Sequence, residues 1–283
     1  MILCLLLVTF VTAVSAKSLP SEINPPTFEY LNSICGQENS NNDINQFPWA
    51  VSILKKDNAG NLQFSCGGSL ISTRTVVTSA HCFNDYSEPG VIRPENFLAS
   101  LGGHNTSTSW IDAVNKNIEK IIIRPGYNPE TLGFDSDLAL VQLKQPIIFT
   151  ESIKPICIGQ EVIDDDATGK IPGWNGRRRQ METTTPTLIN ARVVSATTCL
   201  RSHNFFSEIM SNQTICVELL DRNTECMINS GNGLMIKKEN KWMLKGVVAG
   251  TVSDPKSECG GNKYFVSLEI SKFYDWIRSN MLL

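Results

Sequence analysis

From residue 47 onward the chain alternates short apolar runs with turn residues: "WAVSIL", "QFSCGGSLIS", "TVVTSA", "IEKIIIR", "LALVQL", "INARVVS", "WMLKGVVAG" and "KYFVSL". β-branched and aromatic residues are frequent in them and no helical period separates them, so the pattern predicts an all-β sandwich or barrel. The end of the chain differs. Ile270, Phe273, Tyr274 and Ile277 recur at i, i+3, i+4 and i+7, which predicts one apolar helical stripe and hence a C-terminal helix packed on the body. At the other end, residues 17–42 are polar and Asn-rich with adjacent Pro25 and Pro26, and read as an extended segment rather than a domain.

Composition narrows the class. With 41% hydrophobic and 19% charged residues and a net charge of -3, the 283-residue chain is an ordinary globular sequence, neither disordered nor basic enough for nucleic acid. Met1–Ala16 is an apolar run ending in the small residues Val14, Ser15 and Ala16, which predicts a signal peptide. The run is too short for a comfortable membrane span and no later one reaches that length, so the expectation is a secreted, extracellular chain with no membrane partner. Removal of the leader takes Cys4 with it and leaves Cys35, Cys66, Cys82, Cys157, Cys199, Cys216, Cys226 and Cys259. An even set in an oxidising compartment favours four disulfides. A zinc site would need close Cys-x-x-Cys or His-x-x-x-His spacing, which is absent, so no metal or other cofactor is expected. Asn105 and Asn212 head Asn-x-Ser/Thr sequons and are candidate glycosylation sites. The run Arg177–Arg179 reads as a solvated loop.

The chemistry rests on three residues. His81 follows a β-branched strand in "VVTSAHCF" and directly precedes Cys82, so a disulfide would fix its loop. Asp137 opens the apolar strand of "DSDLALVQL", where a buried carboxylate needs a partner such as an imidazole N–H. Ser230 lies in "CMINSGNGLMI". A serine becomes a nucleophile when an imidazole takes its proton and a carboxylate holds that imidazole in the right tautomer. The two other histidines, His104 and His203, read as residues of solvated loops.

The chain order His, Asp, Ser, together with "QFPWAVSI", "CGGSLIS", "TSAHC", "DLALVQL", "KPICI", "GWN" and "CMINSG", resembles the trypsin/chymotrypsin-like serine protease family from about Cys35 to Leu283. The resemblance implies two six-stranded antiparallel β-barrels with the active site between them, and a catalytic triad of His81, Asp137 and Ser230. It also implies the pairings Cys35–Cys157, Cys66–Cys82, Cys199–Cys216 and Cys226–Cys259. The expected organisation is then a leader at 1–16, an N-terminal extension at 17–43 tethered by Cys35, and a protease-type domain at 44–283, acting as a monomer.

Several positions depart from the family pattern. Its nucleophile box, Gly-Asp-Ser-Gly-Gly-Pro, appears here as Ile228-Asn229-Ser230-Gly231-Asn232-Gly233. The first Gly donates an N–H to the oxyanion from a backbone geometry that a β-branched residue such as Ile228 resists. Asn229 removes the carboxylate that receives the amino terminus released on zymogen cleavage. The cleavage sequence is absent too, since "GQENSNNDINQ" runs from Cys35 directly to Phe47. In the specificity pocket, Thr224 stands where trypsin-type members place an Asp, and Ala249-Gly250-Thr251 replaces the Ser-Trp-Gly backing strand. Lys263 aligns with another pocket-wall Gly. The altered box resembles the serine protease homologues of arthropod cascades. That implies a catalytically impaired binding or regulatory cofactor whose partners are proteases or protein substrates. The alternative is an active endopeptidase with atypical activation.

Overall fold

The computed structural model describes residues 27–38, 47–57, 59–84, 88, 90–102, 113–162, 164–174, 176–177, 180–181, 187–221, 224, 227–253 and 261–283. The leader, His104, Asn105, and the Cys226–Cys259 pair lie outside the described residues. Six strands, β1 (Ala50–Lys56), β2 (Leu62–Leu70), β3 (Thr75–Thr78), β4 (Phe97–Leu101), β5 (Val114–Ile123) and β6 (Ala139–Leu143), close into one antiparallel barrel in the order β1-β2-β3-β6-β5-β4. The second half adds β7 (Thr168–Gly173), the two-residue strands β8 (Gly176–Arg177) and β9 (Gln180–Met181), and then β10 (Thr187–Val194), β11 (Thr214–Leu219), β12 (Gly233–Lys238), β13 (Lys241–Ser253) and β14 (Gly261–Glu269). It closes in the order β10-β11-β14-β13-β12-β7. The fold is thus two six-stranded antiparallel barrels, with β8 and β9 pairing outside them.

Local pattern explains each barrel. β6 (Ala-Leu-Val-Gln-Leu) is buried along its whole length, and its one polar side chain, Gln142, donates to Asn280 O at 3.0 Å. β10 alternates buried Ile189, Ala191 and Val193 with more exposed neighbours, which is the signature of one core-facing side. Among the described residues, closing each sheet on itself pairs both sides of its strands, β1 with β4 and β10 with β7 included.

Two features were not carried by the strand pattern. The N-terminal segment is not wholly extended: α1 (Phe28–Ile34) begins at Thr27, whose hydroxyl accepts from the Tyr30 N–H, and buries Leu31 on the body. Between β10 and β11 lie α2 (Ala196–Ser202) and α3 (Phe206–Ile209), short helices that bury Cys199, Phe206 and Ile209. At the C-terminus, Ile270–Phe273 forms a 3-10 turn leading into α4 (Tyr274–Asn280), with Ile270, Phe273 and Ile277 buried.

The segment around α1 is fastened at several points to the stretch between the barrels and to the second barrel. Cys35 is disulfide-bonded to Cys157, the Gly36 N–H donates to Pro155 O (2.9 Å), and the Trp242 N–H donates to Gly36 O (2.9 Å). Gly36 has φ 66°, and a Cβ there would overlap the Trp242 carbonyl, so only glycine serves. Glu38 closes the clasp by accepting from Trp242 Nε1 and from Lys237 Nζ. The same indole packs edge-on against Phe47 at 5.1 Å. Partial burial pulls the Glu38 carboxyl upward, but the hydrogen bonds from Lys237 and Trp242 outweigh it and hold the pKa below the usual carboxylate range. A carboxyl depressed in the folded state contributes stability above its unfolded pKa and loses it as pH falls through the folded value. Melting curves should therefore show native protein more stable than Glu38→Gln at neutral pH, with the gap closing below about pH 4. A gap that does not change with pH would rule this account out.

Candidate active site at the barrel seam

The three candidate residues come from three places on the two barrels. His81 lies in a 3-10 turn, Ala80–Phe83, just after β3, and Asp137 precedes β6, the strand that pairs with β3. The Cys66–Cys82 disulfide ties the His81 turn to β2. His81 and Asp137 meet closely. His81 Nδ1 lies 2.7 Å from Asp137 Oδ2, and the His81 backbone N–H donates to Asp137 Oδ1 at 2.8 Å. Asp137 is 0% exposed, and its carboxylate receives hydrogen bonds only from His81 among the described residues. Bonding to the carboxylate at Nδ1 leaves Nε2 as the nitrogen facing any substrate. The His81 side chain is 30% exposed and so reaches solvent.

Ser230 is carried by the second barrel, ahead of β12, in a loop held from both sides. The Gly67 N–H of β2 donates to Ser230 O (2.9 Å), while the Gly231 N–H donates to Val248 O (2.8 Å) on β13. Ser79 Oγ–H donates to the same Val248 carbonyl (2.9 Å), and Thr78 Oγ1–H to Gly67 O (2.7 Å). Two of these bonds, Gly67 N–H to Ser230 O and Ser79 Oγ–H to Val248 O, cross the seam between the barrels. Gly231 has φ 82°, and a Cβ there would overlap Gly67 O and Thr78 Oγ1. Ser230 is half-buried, and no hydrogen bond joins it to His81 among the described residues.

The altered box residues have definite roles in the loop. Asn229 Oδ1 accepts the Trp174 N–H at 2.8 Å and the Asn232 side-chain amide at 3.3 Å. Its acceptor oxygen is satisfied within the fold. Ile228 packs its half-buried side chain on the core of the second barrel and is not among the residues with positive φ. Asn232, which sequence reasoning quoted without a role, is 0% exposed and sits against Gly67, where any side chain on Gly67 would strike its amide.

The pocket candidates are turned to other partners. Thr224 Oγ1 donates to Asp221 O (2.9 Å) and Thr251 Oγ1 to Tyr264 O (2.7 Å) on β14. Lys263 is exposed and donates to Glu218 Oε1 (2.8 Å), while Arg192 donates to Oε2 (2.6 Å). Those two cations, Lys263 foremost, hold the Glu218 carboxyl below its ordinary range. A residue missed from the sequence is Phe134, whose ring centroid is 6.5 Å from that of His81. Its Cζ lies 2.5 Å from where a Gly250 Cβ would stand, so the phenyl ring covers the strand position that lacks its own aromatic. The signal available was Gly250 itself, an unfilled position facing a loop that carries two aromatics, Tyr127 and Phe134.

Donor atoms of Cys66, Cys82 and His81 lie within 4.8 Å of one another, but the two sulfurs are joined in a disulfide and offer no thiolate to a metal. The Cys199–Cys216 disulfide joins α2 to β11. His203 lies in the exposed turn between α2 and α3, where its Nδ1 accepts the Phe205 N–H (3.1 Å), and Asn212 is exposed in the turn before β11. No described helix is long and apolar enough to cross a membrane.

Comparison with known proteins agrees with this architecture. The chain is 28% identical to the serine protease gd of Drosophila melanogaster over 82% of its length and 50% of that protein's. It is 27% identical to Limulus clotting factor C of Carcinoscorpius rotundicauda (87% of this chain, 26% of that one). With the CLIP domain-containing serine protease B9 of Anopheles gambiae it shares 28% identity over 85% of this chain and 62% of the other. The chain thus spans only a quarter to three-fifths of the length of these relatives. The trypsin family profile matches residues 36–277, and with both barrels closed around the seam the chain belongs to the trypsin family of serine proteases.

Proposed function

We propose that this chain is a catalytically impaired serine protease homologue that acts as a binding or regulatory cofactor in an extracellular proteolytic cascade. The observation that carries the reading is the state of the nucleophile loop. Asn229 has its acceptor filled by the Trp174 N–H and carries no charge for a released amino terminus, while Ile228 stands where the oxyanion donor is needed. Loss of one such donor lowers turnover by on the order of 10²–10³. Ser230, in addition, is not hydrogen-bonded to His81. The disulfides suit an oxidising, secreted setting, and relatives named as serine proteases and clotting factors suit a partnership with other proteases. In this reading residues 44–283 form the protease-type body, residues 17–43 a tethered extension, and exposed Asn212 carries a glycan.

A second reading, an active endopeptidase with atypical activation, draws support from the His81–Asp137 pair, which is in working geometry at 2.7 Å. Apo serine–histidine contacts are often loose and tighten with substrate. A serine-directed phosphonate separates the two. The impaired reading expects labelling of native protein no faster than that of Ser230→Ala. Rapid labelling confined to Ser230 would establish the enzyme reading in its place.

A further inference from the structure

The loop that carries Asp137 is not self-supporting. Ser136, the residue before it, has φ 55°, a left-handed conformation that side chains other than glycine resist, and it is only 6% exposed. Such a backbone persists where its surroundings over-determine it. Its support comes from the other barrel. The Ser136 N–H donates to Gln213 Oε1 at 2.9 Å, and Ser136 Oγ–H donates to the same oxygen at 3.3 Å. Gln213 stands just ahead of β11 and is itself anchored. Its N–H donates to Ser211 Oγ (3.1 Å), and its carbonyl accepts the Glu269 N–H (2.9 Å) from the end of β14.

The strained residue is coupled directly to the dyad. The Ser136 carbonyl accepts the Leu138 N–H at 2.6 Å, and the Asp137 carbonyl accepts the Ala80 N–H at 3.2 Å, one residue before His81. Rotation at Ser136 therefore turns the Asp137 carboxylate relative to the imidazole. Among the described residues, this loop's backbone–backbone bond to α3, Phe134 N–H to Ile209 O, is long at 3.4 Å. Without Gln213, both donors of a buried serine would lose their acceptor, and a buried unpaired N–H is costly enough to force the backbone elsewhere.

We infer that Gln213 is a positioning residue that sets the Asp137 carboxylate against His81 from across the barrel seam. The inference rests on the His81–Asp137 pair described above and holds whether or not Ser230 turns over substrate. It makes the second barrel a contributor to a dyad whose two members both belong to the first.

The test reads the dyad rather than catalysis. In proton NMR of the full chain, the hydrogen-bonded Nδ1–H of His81 should give a low-field resonance that His81→Ala removes. Gln213→Leu should lose that resonance while near-ultraviolet circular dichroism shows the fold retained. Gln213→Asn, which stays polar but falls one methylene short, carries the same expectation if the leucine variant does not fold. Gln213→Glu, which keeps an acceptor oxygen at the same reach, should retain the signal. A merely structural Gln213 would lower the melting temperature and leave the resonance in place, and that result overturns the inference. Loss of the signal in a folded Gln213→Glu overturns it as well. Because phosphonate labelling is scored separately, a fast-labelling Ser230 would refute the impaired reading without touching this one.

Discussion

Gly231→Ala should be among the most damaging single substitutions in the chain, lowering the melting temperature by about 5–15 °C and releasing Ser230 from its position. Two costs combine. A side chain at φ 82° costs about 1–2 kcal/mol on backbone grounds. The new methyl also overlaps Gly67 O and Thr78 Oγ1, both on the facing barrel, and overpacking of that kind costs about 1–3 kcal/mol. For a body of this size each kcal/mol moves the midpoint by about 2–4 °C. Gly60→Ala is the control, because Gly60 has φ 85° with nothing near its would-be Cβ and so isolates the backbone cost. Differential scanning calorimetry of the two variants decides the matter. Equal effects would mean that the Ser230 loop is not clamped between the barrels. The clamp itself is the Gly67 N–H to Ser230 O bond, and it is the contact the methyl would push apart.

The second large effect is a gain. Replacing Ile228 by Gly should raise the rate of phosphonate labelling at Ser230 by on the order of 10²–10³, the value of one oxyanion donor. Glycine lets the peptide at 228 turn its N–H toward the oxyanion, whereas the present side chain is held by its packing on the second barrel's core. The same change should cost about 1–3 kcal/mol of stability, because that apolar contact is lost. Asn229→Asp alone is not expected to help: its carboxylate would keep the Trp174 N–H but gain no ammonium partner. An unchanged labelling rate in Ile228→Gly, with the protein folded, would show that the block lies elsewhere. The covering of Gly250 by Phe134 would then be the next place to look.

Much of the fold was legible because its signals are local. Alternation in β10, the mostly apolar run of β6 and the stripe Ile270, Phe273, Ile277 each report one element's own burial. α2 and α3 were not legible, since they are short and owe their stability to Phe206 and Ile209 sinking into a core assembled from distant strands. α1 was hidden in the same way, although its Thr27 cap stood in the sequence.

The candidate site divides along similar lines. Chain order and flanking motifs put forward His81, Asp137 and Ser230, and departure from the family's box put forward Ile228 and Asn229, because the chemistry and backbone permissiveness behind those motifs belong to individual residues. Side-chain orientation does not. That Asn229 is satisfied by Trp174, that Lys263 turns to Glu218, and that Phe134 covers Gly250 depend on partners 55, 45 and more than a hundred residues away. Gln213 shows the limit most clearly. Nothing in "SNQT" refers to Asp137, which lies 76 positions earlier. Only the packing of one barrel against the other brings its amide oxygen under Ser136, because hydrogen bonds act over about 3 Å of space whatever the separation along the chain.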